Sequence, residues 1–364
     1  MSSLPKPYRI GRPPVTAIVR RQIATVRGGE QNVRRCHLRG LSGKNGEEIA
    51  PRVRYGRRVA SSIPDIDAGA RQRLAARFGS DVERWFAELP GVLTAVAERW
   101  GFALGAAIPR GSVSAVFRAR LADGRRAVLK VSPDRARLAF EATALGAWPT
   151  PHTPDVVALD EQLGALLIEA IEPGTPLDVS GAYPTEESVA TLLSALHGSG
   201  VPNPSYPTLG QRVAYLFDSS AKLYDRSPNL TTLIPRTLYE QGRRLATRLA
   251  SDAGPVVLLH GDLTPPNLLD GGAARGLVAI DPAPCLGDAA FDLVDLILWQ
   301  VDDLDAIHER TRRIAAAAGL DAERLLGWCI AFASMIAMEL ASQGDAHNRR
   351  LQALLHLASQ AYTA

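Results

Sequence analysis

Three oxygen-bearing side chains, Asp262, Asn267 and Asp281, occur at spacings that suit chemistry better than solubility. Asp262 follows the apolar run 256–259 by way of His260-Gly261, and Asp281 directly follows the apolar run 277–280. Both runs read as short buried strands. A carboxylate leaving such a strand end is held rigidly near the interior, where burial and neighbouring charge tune its ionisation. Asn267 lies five residues beyond Asp262, a span that can curl until both side chains face one point. An amide oxygen converging with carboxylates, without thiolates, suits a hard ion such as Mg2+, which keeps several waters and takes few protein oxygens.

Elements elsewhere must bring a partner surface to this stretch. From 106 to 131 the apolar period is two, with a turn at Asp123-Gly124, which predicts a β-hairpin. Lys130 ends its second strand among apolar neighbours; taken alone it reads as a strand-end charge reaching solvent. The next segment, 134–148, carries a helical stripe with Glu141 in its middle. Glu141 reads either as a solvated charge or as the partner of a strand-lysine to helix-glutamate ion pair that aims a lysine at nucleotide phosphates. Ahead of the hairpin, Gly111-Ser112-Val113-Ser114 offers a glycine with hydroxyls for phosphate oxygens, a weak signal by itself. Two more strands are predicted at 156–160 and 165–171, and Glu172-Pro173-Gly174 then breaks regular structure.

Helices are predicted over 70–78, over 81–100 with an interruption at Pro90-Gly91, and over 185–197, 209–224 and 230–250. Beyond the acidic strands, further helices are predicted over 291–300, 304–319, 322–342 and 348–362. The expected fold class is α+β, a strand-rich N-terminal lobe over 61–172 joined to a helical C-terminal lobe over 173–364 that holds the acidic loops. The longest uncharged run apolar enough to test as a membrane span, 325–338, is ended by Glu339 short of the ~18 residues a span needs, so no membrane association is expected.

The 364 residues carry a formal charge of +3, but unevenly. Residues 1–60 hold 14 basic and 3 acidic residues, leaving 27 basic against 35 acidic, a balance of −8, for the remainder. The basic extension reads as a solvated, largely disordered tail or as sequence upstream of the true start; a nucleic-acid arm is the less favoured alternative. It lacks the apolar core of a secretory signal. Three widely spaced cysteines, Cys36, Cys285 and Cys329, fit a reducing cytoplasm.

The string His260-Gly261-Asp262-Leu263-Thr264-Pro265-Pro266-Asn267, followed by Ile280-Asp281, resembles the catalytic and metal loops of the aminoglycoside phosphotransferases, which share the protein-kinase-like fold. Ala97-Glu-Arg-Trp-Gly, Ala127-Val-Leu-Lys-Val-Ser-Pro-Asp and Leu163-Gly-Ala-Leu-Leu-Ile-Glu-Ala-Ile narrow the resemblance to the streptomycin 6-kinase and hydroxyurea phosphotransferase branch. The resemblance covers about the last three hundred residues and leaves the basic extension outside. It implies a two-lobed enzyme, with an N-terminal antiparallel sheet lobe, that uses ATP and Mg2+. Asp262 would take or orient the proton of an acceptor hydroxyl, and Asn267 and Asp281 would hold the metal. Lys130, fixed by Glu141, would pair with the α- and β-phosphates beneath the Gly111, Ser112 and Ser114 loop. Glu169 and Ile171 would lie in the hinge that hydrogen-bonds adenine. His260 would fix the loop without acting as a base, and Asp288 and Asp292 would support it.

Two departures bear on the kind of enzyme. The glycine loop has one glycine, and Asp281 precedes Pro-Ala where protein kinases have Phe-Gly. Small-molecule kinases of this type tolerate the first, and the second argues for a constitutive small-molecule enzyme over a switchable protein kinase. The −8 balance, with Asp302, Asp303, Asp305 and Glu309 beyond the acidic strands, fits attraction of a cationic aminoglycoside, or equally a solvated helix start. Streptomycin is the leading acceptor; a sugar, a choline-like alcohol or hydroxyurea stay open, as does a nucleotide-binding pseudokinase.

Overall fold

Alternation along three adjacent strands decides which side of the N-terminal sheet can carry a charge. In the computed structural model, which describes residues 64–109, 113–227, 229–252, 254–342 and 348–362, the strands are β1 (Phe102–Ile108), β2 (Ala115–Leu121), β3 (Arg126–Val131), β4 (Val156–Asp160) and β5 (Ala165–Glu169). They form one antiparallel sheet in the order β1-β2-β3-β5-β4. Phe117 and Ala119, Ala127, Leu129 and Val131, and Ala165 and Leu167 all face helices α1 (Ala68–Phe78) and α2 (Val82–Trp100). The period of two therefore turns Lys130, Leu166 and Ile168 to the other face. There helix α3 (Arg135–Leu145) packs Leu138, Ala142 and Leu145 on Leu166 and Ile168.

Helix α2 runs unbroken through Pro90, contrary to the predicted interruption. Proline inside a helix costs about 3 kcal/mol. Phe86, Leu89, Leu93 and Val96 are buried along one stripe, at roughly 1.5–3 kcal/mol for each large side chain, and outweigh that cost. Strand β1 begins at Phe102, ahead of the alternating run; a bulge between Leu104 and Ala107 breaks the period there and hid it.

The C-terminal part contains α4 (Glu186–Ser199), α5 (Leu209–Ser220), α6 (Arg236–Ser251), α7 (Leu304–Ala318), α8 (Ala322–Ser342) and α9 (Arg349–Ser359). Two of the predicted helices are divided. The chain breaks after Ser220 before a short turn at Lys222–Arg226, and Pro235 separates the Leu230–Leu233 turn from α6. The 291–300 segment is a 3-10 turn, Ala289–Leu293, running into Val294–Leu298. Helix α8 is long and apolar enough to cross a membrane, but most of it is buried in the core against α6 and α9. Gly242 on α6 permits that packing: a Cβ there would lie 2.4 Å from the Ala331 carbonyl oxygen.

Two small two-stranded sheets are inserted among these helices. Strand β6 (Val257–Leu259) pairs with β9 (Cys285–Gly287), and β7 (Leu268–Asp270) with β8 (Leu277–Ala279). Residues 66–364 form one compact unit, and the basic extension 1–60 falls outside the described residues.

Candidate active site

Asp262 owes its position to the glycine before it. Gly261 has φ +74°, and a Cβ there would lie 2.1 Å from the Ala283 carbonyl oxygen, so only glycine fits. Asp292 grips the same turn, accepting hydrogen bonds from the His260 and Gly261 backbone N–H groups at 2.9 and 2.8 Å. His197 Nε2 lies 3.0 Å from the same carboxylate. Burial pushes the Asp292 carboxyl up, but these hydrogen bonds and the His197 charge prevail and hold it below the usual carboxylate range.

After Asp262 the chain curls as its spacing allows. Thr264 N–H bonds to the Asp262 carbonyl at 2.8 Å, and Asn267 N–H to the Thr264 carbonyl at 2.9 Å through the Pro265–Asn267 turn. Asn267 Nδ2 then donates to the Asp262 carbonyl and to its Oδ2 at 2.9 and 3.0 Å. The Ile280 N–H donates to the Asn267 carbonyl at 2.9 Å, which brings Asp281 beside Asn267. Asp281 sits at φ +58°, a left-handed conformation that non-glycine residues adopt at a cost of about 1–2 kcal/mol. Such strain clusters where a side chain must be aimed.

Across the cleft, Lys130 is buried on β3 and Glu141 on α3, as the strand alternation requires. Lys130 Nζ donates to Glu141 Oε1 at 2.5 Å and also to Asp281 Oδ1. Burial alone would lower the lysine's pKa, but the two carboxylates overcome it and raise the value above the ordinary one, so the ammonium is permanent. Asp281 is likewise pushed up by burial and pulled down more strongly by Lys130, leaving it ionised. Its carboxylate, still 43% exposed, and the Asn267 amide oxygen form an all-oxygen donor pair compatible with Mg2+.

The remaining predicted residues take varied places. His260 is fully buried, stacked on Trp148 with ring centroids 6.1 Å apart, and burial lowers its pKa. Its ring nitrogens make no hydrogen bond of good geometry among the described residues, and its backbone N–H, held by Asp292, is what ties the loop. Asp288 caps Ala290 N–H and accepts from Arg324 Nε at 2.5 Å and Trp328 Nε1 at 2.7 Å, fixing the turn that carries Asp292. Ser114 is buried at the start of β2, while Gly111 and Ser112 lie outside the described residues. Glu169 ends β5 with its side chain on Arg275 at 2.7 Å, and Ile171 is buried just beyond.

A cavity of 160 Å3 opens directly beside Asp262, lined among others by Arg212, Asp295, Phe332 and Glu339. None of these four was singled out for a role in the site from sequence. Asp295 closes the acidic pattern after Phe291, and Glu339 interrupts an apolar run, which were the available signals; Arg212 carries none beyond being a charged helix residue. Asp295 is exposed by area yet closely walled by protein at the cavity rim. Burial, with the charges of Asp262 and Glu339, pushes its carboxyl up to about 7. Glu339, likewise solvent-exposed at the rim, is shifted upward by the protein around it and by the Asp262 charge. Asp302 and Asp303, open to reading either as attraction for a cationic acceptor or as a solvated helix start, line a separate depression with Arg349 and His356. Asp303 is the N-cap of α7, and Asp302 pairs with Arg349 at 3.7 Å.

The profile of the aminoglycoside/hydroxyurea antibiotic resistance kinase family matches residues 99–344. The chain belongs to that family. A streptomycin 6-kinase from Streptomyces glaucescens is 26% identical over 281 residues, 74% of this chain and 88% of that protein. A hydroxyurea phosphotransferase from Kitasatospora aureofaciens is 28% identical over 267 residues, covering 70% and 74%. The fold is that of the choline kinase from Streptococcus pneumoniae, with TM-score 0.52 at 14% identity over 74% of this chain and 99% of that one. The fold is therefore protein-kinase-like, and the family member described here is a phosphotransferase acting on hydroxyl groups.

Proposed function

We propose that the protein transfers the γ-phosphoryl group of ATP, with Mg2+, to a hydroxyl of a cationic aminoglycoside, as a streptomycin-type 6-phosphotransferase that confers resistance. The observation that carries this reading is Asp262 standing between the Asn267–Asp281 oxygen pair and an acidic cavity. Phosphoryl transfer passes through a loose transition state with charge spread over oxygens, so positioning and cations matter more than covalent chemistry. Asp262, held on both carboxylate oxygens, accepts or orients the acceptor's hydroxyl proton. Lys130, kept protonated by Glu141 and Asp281, offers its ammonium to the α- and β-phosphates. Asn267 and Asp281 would hold Mg2+, which when bound neutralises charge on the transferred group. The segment around Glu169 and Ile171 serves as the adenine hinge. Asp295 and Glu339 supply the negative charge that a polycationic acceptor meets.

A second reading rests on cavity size. At 160 Å3 the cavity is smaller than the about 300–1,000 Å3 usual for drug-sized ligands, which favours hydroxyurea or one ring of a larger acceptor lying across the mouth. An ATP-consumption screen over streptomycin, other aminoglycosides, hydroxyurea and simple sugars, paired with resistance in a sensitive host, tests both. Streptomycin-dependent ADP release supports the first reading. ADP release with hydroxyurea alone replaces it by the second, and release with none of these compounds contradicts both.

A further inference from the structure

Arg212 lies in the first turn of α5, and that turn is tied to the strand pair that delivers Asp262. Thr208 and Gln211 form a reciprocal capping box at the helix start, with Thr208 N–H bonded to Gln211 Oε1 at 2.9 Å. Leu286 on β9 donates its N–H to the Pro207 carbonyl at 2.8 Å, and β9 pairs with β6, which leads to Asp262. The Arg212 guanidinium is thereby anchored relative to the loop, and it reaches two atoms of it. Nε donates to the Gly261 carbonyl at 3.0 Å and Nη2 to Asp262 Oδ1 at 3.2 Å. The side chain is only 14% exposed, so this fork is sheltered from competing water.

Asp262 therefore carries one donor on each oxygen, Arg212 on Oδ1 and Asn267 on Oδ2. That fixes the plane of the carboxylate and leaves each oxygen further accepting capacity for a hydroxyl in the adjoining cavity. The same guanidinium lines the cavity together with Asp262, Asp295 and Glu339, and is the one cationic side chain among the described lining residues. Its charge opposes the attraction those carboxylates exert on a cationic acceptor.

We propose that Arg212 is a positioning residue of phosphoryl transfer, which aims the Asp262 carboxylate at the acceptor hydroxyl and restrains the negative charge of the acceptor cavity, so that it raises turnover while weakening capture of cations. The inference rests on the proposed role of Asp262, and on nothing specific to the acceptor beyond its charge. Removing the guanidinium releases one Asp262 oxygen and the Gly261 carbonyl, and misplacement of a reacting group by an ångström costs about a hundredfold in rate. It also leaves the cavity one unit more negative.

The test compares full-length Arg212→Met and Arg212→Lys with wild type and Asp262→Asn. It follows ADP release from Mg2+-ATP both with streptomycin and without acceptor, where water takes the acceptor's place. Arg212→Met should lower kcat about ten- to hundredfold, leave the KM for ATP unchanged and leave the KM for streptomycin equal or lower. Arg212→Lys keeps the charge but reaches only one of the two oxygens, and should recover part of kcat. A purely structural role would raise both KM values and lower the melting temperature without that split. Wild-type kcat in Arg212→Met, with Asp262→Asn inactive, overturns the inference alone. Full turnover in Asp262→Asn overturns the underlying assignment as well. If Arg212→Met does not fold, folded Arg212→Lys decides: reduced kcat at unchanged ATP KM supports the inference, and wild-type kcat overturns it. If streptomycin elicits no ADP release, the same ordering of kcat in acceptor-free hydrolysis supports the inference, and equal rates in wild type and Arg212→Met overturn it.

Discussion

Lys130 on the N-terminal sheet donates a hydrogen bond to Asp281 in the loop beyond β8, while holding Glu141 on α3. One buried ammonium thus joins three elements. Lys130→Ala strands Glu141 without its cation, and breaking a buried pair from one side costs about 3–5 kcal/mol. The variant should melt well below wild type in calorimetry. Adding Glu141→Gln should restore part of that stability but not the affinity for ATP, measured by nucleotide titration.

Gly261→Ala introduces a Cβ 2.1 Å from the Ala283 carbonyl oxygen at a position with φ +74°. Overpacking and backbone strain together should destabilise by about 2–3 kcal/mol, read by urea unfolding. The displaced Asp262 should lose turnover beyond what the melting shift accounts for.

Asp295 gives a pH signature of definite sign. Its folded value, pushed up to about 7, exceeds the ordinary 3.8, so across that interval the folded chain binds the extra proton. Stability contributed at this site therefore falls as pH rises through the window. Asp295→Asn should melt higher than wild type at pH 8 and nearly level with it near pH 4. For a cationic acceptor, the KM of wild type should fall as pH rises through about 7, as Asp295 ionises, and that pH dependence should vanish in the variant.

Much of this geometry follows from local rules. The two-residue period of β3 places Leu129 against α2 and so turns Lys130 toward Glu141. Apolar runs ending at Asp262 and Asp281 read as strands, and the five-residue curl to Asn267 follows from short hydrogen-bonded turns. The cavity was less visible because its residues come from distant helices with unremarkable local patterns. Arg212, Asp295 and Glu339 meet only when α5, the 294–298 turn and α8 pack together. Asp302 and Asp303 also follow the acidic strands in sequence, yet they line a different depression at the start of α7. Pro90 misled for a related reason, since burial of the α2 stripe overrides a local helix breaker.

In the proposed reaction Asp262 handles the acceptor hydroxyl during transfer of phosphate from ATP. The most direct test of this role is the rate of label transfer from γ-labelled Mg2+-ATP to streptomycin or hydroxyurea by Asp262→Asn, alongside its melting curve and ATP affinity. Loss of transfer by about a hundredfold or more, with fold and nucleotide affinity retained, is the expected result. Transfer at the wild-type rate by the folded variant contradicts the account.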